Sequence, residues 1–341
     1  MGERSELALP PVLVAPDSFK GTLSATDVTA ALCEGFEAGG RATDPCPLAD
    51  GGEGTLVALT AGDPTSELVD VQVHDPLGRP LTAQFALTQG GSTAVVETSA
   101  AIGLGLVEED QRDPEVLSSA GAGELIRAAI ESGVEEVLIG LGGSATVDGG
   151  RGVLEVLSAS GLLLSEGGRR QGPKITVLCD ARSPWEEAAK VFGPQKGASP
   201  EAVVRLTDAM LTQAKLFRRN PVDVNYTGAA GGIGGALWSE CGAELVPGSQ
   251  FVMERVNFDV RMRASRAVIV GEGRMDSSTL LGKAPGEAAT RARQAGVPCA
   301  AACGINALDA VEERIIDLQV VVEAGDLPAL VLAGKRLASL I

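Results

Sequence analysis

A short apolar run that ends in a loop rich in glycine and charge, followed by a helical period, occurs near both ends of this chain and limits its folds more than any other feature. Val12 to Ala15 is almost wholly apolar and stops at Pro16. Such a run reads as a strand covered on both faces, because a half-exposed strand would alternate apolar and polar residues. The loop APDSFKGTLSA follows. Val28, Ala31, Leu32, Gly35 and Phe36 then recur at helical spacing, with Ser24 or Thr26 placed to cap the start near Thr26 and Gly39–Gly40 to end it after Ala38. The same order returns in Ala267 to Val270, a glycine loop, and a helical pattern over Pro285 to Ala295. Cys299 to Ala302 and Leu318 to Val322 read as further strands, with helices near Leu308 to Ile315 and at the C-terminal end. Strands alternating with helices predict a parallel sheet with helices on both faces.

The middle of the chain departs from this grammar. Residues 69 to 97 form short strand-like bursts (LVDVQV, LTAQFAL, TAVVET) between Pro-Leu-Gly and Gly-Gly turns, the pattern of antiparallel hairpins. A helix-like stretch over Val116 to Ile130 and a strand-like Val137 to Ile139 follow. Gly167 to Gly172 is polar and reads as an exposed loop. The fold expected is therefore α/β with two domains: a Rossmann-like three-layer parallel-sheet domain from 1–68 and 265–341, and a second, mixed α/β domain inserted as 69–264. A site is expected in the cleft between them.

Charge and composition narrow the function. A net charge of −17 opposes a general grip on nucleic acid or an anionic membrane, so an anionic ligand has to be held by local donors. One histidine, His74, excludes sites that need two imidazoles. The six cysteines stand apart with no CxxC pair and read as reduced core thiols. Pro10 and Pro11 interrupt the first apolar run, Glu6 spoils a myristoylation pattern, and no stretch reaches the ~20 apolar residues of a membrane span, so a cytoplasmic protein is expected. Glycine is about 13% of the chain, where roughly 7% is usual, and it is clustered.

Those clusters coincide with charge at strand ends, where open α/β sheets bind ligands. Asp17, Ser18 and Lys20 follow the first strand and suit a phosphate or carboxylate, or equally an Asp turn with a solvated lysine. PLADGGEGT brings Asp50, Gly51, Gly52 and Glu53 to a helix start, where backbone amides can meet an anion or simply make a tight turn. In VLIGLGGSATVDGG, Gly140, Gly142 and Ala145 fit a loose dinucleotide fingerprint, with Glu166 placed for a ribose; Ser144, Thr146 and Asp148 suit a nucleotide phosphate with Mg²⁺ better. Asp180 ends the apolar VLCD, as a helix cap would. FGPQKGA holds Lys196 between glycines, ordinarily an exposed loop lysine. VGEGRMDSSTLLGKA crowds Glu272, Arg274, Asp276, Ser277, Ser278 and Lys283 into one loop. GAAGGIGGAL serves close helix packing or ligand approach equally well. No GxxxxGK[ST] occurs, since Lys283 is followed by Ala284, which excludes a P-loop kinase, and protein-kinase signatures are absent.

APDSFKGTLSA, PLADGGEGT, GGSATVDGG, FGPQKGA, GAAGGIGGAL and GEGRMDSSTLLGK, in that order, closely resemble the type-1 glycerate kinase family over nearly the whole chain. The resemblance implies ATP- and Mg²⁺-dependent phosphorylation of D-glycerate, usually to 2-phosphoglycerate, by a monomer or homodimer. On that resemblance Asp180 is the first candidate for the base and Asp276 the second. Lys20, Lys196 and Arg274, helped by Lys283, would neutralise the glycerate carboxylate and γ-phosphate, with Asp17, Ser18, Ser277 and Ser278 around the substrate. Gly51, Gly52, Gly142, Gly143, Ser144 and Thr146 would hold the nucleotide phosphates, and Asp50, Asp148 and Glu272 the Mg²⁺. Three departures from the family pattern touch substrate fit: Val147 where Asn is common, VGEGR for TGEGR at Val270, and shorter segments around Asp180. Two rival readings stay open: an NAD-dependent oxidoreductase using the GLGGSA loop with Glu166, and a metabolite-binding regulator without catalysis.

Overall fold

The computed structural model describes residues 9–164 and 172–341. Glu6, Glu166 and most of the loop 167–172 fall outside the described residues. Within them the chain forms two compact units, residues 1–50 with 252–341, and residues 51–251. The hydrophobicity pattern had set the divisions after 68 and 264. Residues 51–68 instead count with the second unit, where Leu56 and Leu59 pack on Ala86, Val95 and Leu138, while Met253, Phe258 and Met262 join the first unit's core.

The first unit holds a five-stranded sheet in the order Leu318–Glu323, Cys299–Cys303, Ala267–Val270, Val12–Val14, Thr43–Pro45, every neighbour parallel. Leu13, Val268 and Val270 face one core with helix Ala284–Ala295. Val12, Val14 and Ile269 face the other with helices Ala25–Ala38 and Leu327–Ala338. This is the sheet covered on both faces that the apolar strands demand. Ser24 caps the first helix by accepting the amide of Asp27, and the chain leaves it at Gly39. That helix lies tightly on the last one because a Cβ at Gly35 would run into the Val331 carbonyl and one at Gly334 would stand about 2.5 Å from that of Leu32.

The second unit is built on a six-stranded mixed sheet. Glu67–His74, Pro80–Thr88 and Thr93–Glu97 are antiparallel, as the alternating bursts predict. Thr93–Glu97, Glu136–Leu141, Lys174–Cys179 and Glu244–Pro247 then run parallel in that order. Helices Ala120–Glu131, Arg151–Ala159 and Ile233–Glu240 cover one face. The expected helix over 116–130 is shorter at its start, since Asp113 to Ser119 form turns that Asp148 anchors. The glycines of GAAGGIGGAL serve close packing: Gly231 has φ of +66° and no room for a Cβ beside the Thr146 carbonyl, and Gly235 abuts the Trp185 ring.

Candidate active site

In the first unit three carboxylates stand at the carboxyl ends of three adjacent strands. Asp17 follows Val12–Val14, Asp50 follows Thr43–Pro45, and Glu272 follows Ala267–Val270; all are buried. The Asp17 amide donates to the Gly271 carbonyl at 2.8 Å, tying two of these loops together. Lys20 Nζ lies 3.0 Å from Asp50 Oδ2 while its side chain stays half exposed. Glu272 accepts from Thr279 Oγ1 at 2.6 Å and from Lys283 Nζ at 2.9 Å. Burial, then the neighbouring Asp50, hold the Asp17 carboxyl well above the ordinary carboxylate range, against Lys20 and the Ser18 amide. Ser18 Oγ is buried with no hydrogen-bond partner among the described residues. The cluster thus combines excess buried negative charge, one partly exposed ammonium and an unsatisfied hydroxyl.

The end of the same loop has another job. Asp276 caps the 3₁₀ turn Ser277–Leu281, accepting from the amide and hydroxyl of Ser278, and those bonds hold its carboxyl below the ordinary range. Arg274 reaches Asp276 at 3.4 Å and is exposed, as is Ser277. A carboxylate fixed in a cap is a poor proton acceptor, so Asp276 does not suit the part of second base.

The second unit gathers a different set where strands Glu136–Leu141 and Lys174–Cys179 end side by side. Lys196 is not an exposed loop lysine. It is 3% exposed, and its Nζ donates to Ser144 Oγ at 2.9 Å and to the Thr146 carbonyl at 2.8 Å. Pro194 starts the 3₁₀ turn that carries it, and Gly197, with φ of +96°, lets the chain leave past the Arg112 carbonyl. Burial lowers the Lys196 pKa from 10.5 to about 8, with Asp180 and then Asp148 opposing the drop. The Asp180 carboxylate lies by Gly142, about 3.5 Å from where a Cβ would stand there. Thr146 Oγ1 is buried without a partner among the described residues.

The glycines divide by task. Gly51, Gly52, Gly140 and Gly142 allow the 51–54 loop to press onto the strand ends: a Cβ at Gly142 would meet Gly52 Cα at 2.5 Å, and one at Gly140 the Gly51 carbonyl at 2.9 Å. Gly143, with φ of +65°, is exposed, and a Cβ there would meet only the Ser99 side chain, at 3.7 Å. The helix Thr55–Thr60 offers no free anion site at its start, since Leu56 donates its amide to Glu97 Oε1 at 2.6 Å. Burial of Glu97, outweighing that bond, pushes its carboxyl up to about 7. Glu97 was missed in the sequence although it ends the apolar TAVVE as Asp180 ends VLCD; Thr279 was hidden inside a motif already read for its charges.

Asp148 departs most from its expected role as a metal ligand. One oxygen accepts from the Ser119 amide and hydroxyl and from the Gly152 amide, the other from the Gly150 amide. These bonds fasten the start of helix Arg151–Ala159 to the turn before Ala120. The same capping removes the dinucleotide alternative: the helix begins ten residues after the strand, and its first amides are taken by Asp148 rather than left for a pyrophosphate.

Open α/β sheets bind ligands outside the carboxyl ends of their strands, where these loops of charge and glycine stand. The family model for the glycerate kinase family matches residues 12–170 and 163–329. A glycerate 2-kinase of Escherichia coli K12 is 38% identical over 308 residues, 80% of this chain and 80% of its own length. A glycerate kinase of Bacillus subtilis 168 is 36% identical over 352 residues, 93% of this chain and 91% of its own. The crystal structure of a protein titled glycerate kinase 2 from Salmonella typhimurium LT2 superposes with a TM-score of 0.78 at 33% identity, covering 97% of this chain and 98% of that one. The chain belongs to the glycerate kinase family and is an enzyme of that kind.

Proposed function

We propose that the protein transfers the γ-phosphate of ATP, with Mg²⁺, to D-glycerate and releases 2-phosphoglycerate. The observation that carries the reading is Lys196, a buried ammonium on Ser144 Oγ and the Thr146 carbonyl, electrostatically coupled to the Asp180 carboxylate at the same strand ends. Phosphoryl transfer needs little covalent chemistry from a protein. It needs alignment, cations on the moving phosphoryl oxygens, and a base for the attacking hydroxyl. In a site shielded from water Lys196 neutralises phosphate charge effectively, because low polarisability strengthens its field. Asp180 accepts the hydroxyl proton. Gly143, the exposed residue beside the buried Ser144, is the proposed contact for phosphate oxygens. Lys20 and Lys283 counter the glycerate carboxylate, with Ser18 Oγ the free hydroxyl nearby.

Among the described residues no group of three His, Cys, Asp or Glu side chains forms a ready metal cage. Mg²⁺ keeps several waters and takes one or two carboxylates with the substrate phosphates. Asp50 and Glu272 are the proposed ligands, and the buried negative excess around Asp17 fits a cation there. Mg²⁺ held by Asp50 and Glu272 would offset negative charge on the substrate phosphates.

Two measurements test the reading. Phosphorus NMR of the product from ATP and D-glycerate should give 2-phosphoglycerate; 3-phosphoglycerate would overturn the regiochemistry, and no phosphoglycerate the reaction. Asp180→Asn should lower kcat by about 10²–10⁴ with glycerate KM changed little. Near-normal turnover would remove Asp180 as the base.

A further inference from the structure

In the second unit the segment 97–104 ties together two stretches of chain that border Asp180 and Lys196. Glu97 closes strand Thr93–Glu97, and its Oε1 accepts the Leu56 amide at 2.6 Å; the Gly54 amide also donates to this carboxyl. Thr98 donates both its amide and its hydroxyl to the Gly140 carbonyl, at 3.1 and 3.0 Å. The Ile102 carbonyl then accepts the Ala145 amide, and Leu104 donates its own amide to the Gly143 carbonyl, both at 2.8 Å. The segment thus fastens the loop 51–56 as well as the stretch 140–145, whose Ser144 accepts from Lys196.

The loop 51–56 needs such an anchor. Gly51, Gly52 and Gly54 are three of its first four residues, and a glycine run loses the most backbone freedom on ordering and has no side chains to pack. It is nevertheless closely seated. The place a Cβ would take on Gly142 lies 2.5 Å from Gly52 Cα and 3.5 Å from Asp180 Oδ2, so loop and carboxylate border the same small space. A loop released from its anchor would open that space beside Asp180. We infer that Glu97 is a positioning residue for Asp180: by fixing the start of helix Thr55–Thr60 it holds Gly52 against Gly142, and so sets the wall beside which the Asp180 carboxylate lies. The inference rests on the reading of Asp180 as the base, but the anchoring itself is measured without turnover.

Glu97→Leu removes the acceptor at similar size, and Glu97→Gln keeps one acceptor oxygen for the Leu56 amide. Hydrogen exchange read by mass spectrometry should be about tenfold or more faster for amides 52–56 in Glu97→Leu, unchanged in helix Ala120–Glu131, and close to wild type throughout in Glu97→Gln. Turnover, kcat, should fall by about 10²-fold in Glu97→Leu with KM for D-glycerate within about threefold, and Glu97→Gln should recover most of the loss. In an Asp180→Asn background Glu97→Leu should cost less than about threefold more, because without the base the wall has nothing to align. A merely structural glutamate would give the same loss in both backgrounds. Unchanged exchange over 52–56, kcat near wild type, or losses that multiply in the double variant would overturn the inference. Should Glu97→Leu not fold, Glu97→Asp, which keeps the charge and draws the acceptor back by one methylene, carries the same test. Absence of phosphoglycerate from wild type would overturn the phosphotransfer reading, and exchange over 52–56 would then decide alone whether Glu97 anchors the loop.

Discussion

Lys196→Met separates what the buried ammonium does for activity from what it does to stability. Methionine keeps the length and loses the charge. Lowering the lysine pKa from 10.5 to about 8 corresponds to roughly 3 kcal/mol of penalty for holding the charged form, at ~1.4 kcal/mol per pKa unit. The sign follows from proton counting. Between about pH 8 and 10.5 the unfolded lysine keeps its proton while the folded one has lost it, so unfolding takes up a proton and the folded state gains stability as pH rises. The gain is complete near 10.5 and absent below about 8. Methionine has no such dependence. The stability of wild type minus that of Lys196→Met should therefore climb by about 3 kcal/mol across that window, whatever the offset left by the lost bonds to Ser144 and Thr146. Urea unfolding followed by tryptophan fluorescence measures it, since Trp185 packs in the same unit and donates its ring N–H to the Met210 carbonyl. Turnover should fall by about 10²–10³ in the variant, and KM for ATP in wild type should rise above pH 8 as the ammonium discharges. A stability difference flat in pH would refute the burial argument. Intact turnover would refute the charge's role.

Glu97→Gln should act in the opposite pH window. A carboxyl raised from 4.5 to about 7 keeps its proton in the folded state after the unfolded chain has lost it, so wild-type stability should fall by about 3 kcal/mol from pH 4.5 to 7 relative to the variant; urea midpoints at pH 5 and 7.5 read this. Asp148→Ala removes the acceptor for Ser119, Gly150 and Gly152 and should cost about 3 kcal/mol of stability while KM for Mg²⁺ in the folded enzyme stays unchanged; a Mg²⁺ KM raised tenfold would restore the metal role. Gly231→Ala places a methyl against the Thr146 carbonyl at φ of +66°, so the melting temperature should drop by several degrees; an unaltered one would show that the loop shifts freely.

What was legible in the sequence, and what was not, divides by the range of the interaction. Strand ends and helix caps are local: VLVAP, VLCD and AVIVGEG announce buried strands that finish in polar loops, and Ser24 announces the helix it caps. The charged loops were therefore found, and sheet order brought Asp17, Asp50 and Glu272 to adjacent strand ends. Partners distant in sequence were not readable. Nothing near Asp148 says that Ser119, twenty-nine residues before it, takes its oxygen, and nothing in FGPQKGA says that Lys196 meets Ser144. Glycine showed the same limit. Its clustering marked the loops, but a missing Cβ serves the chain's own packing at Gly51, Gly142 and Gly231 while Gly143 stays exposed, and only coordinates distinguish the two. The net charge of −17 shaped this division, because a chain so acidic cannot attract an anion at large. Burying the Lys196 ammonium in such a chain requires acceptors to hold its charge, and the Ser144 hydroxyl and Thr146 carbonyl supply them.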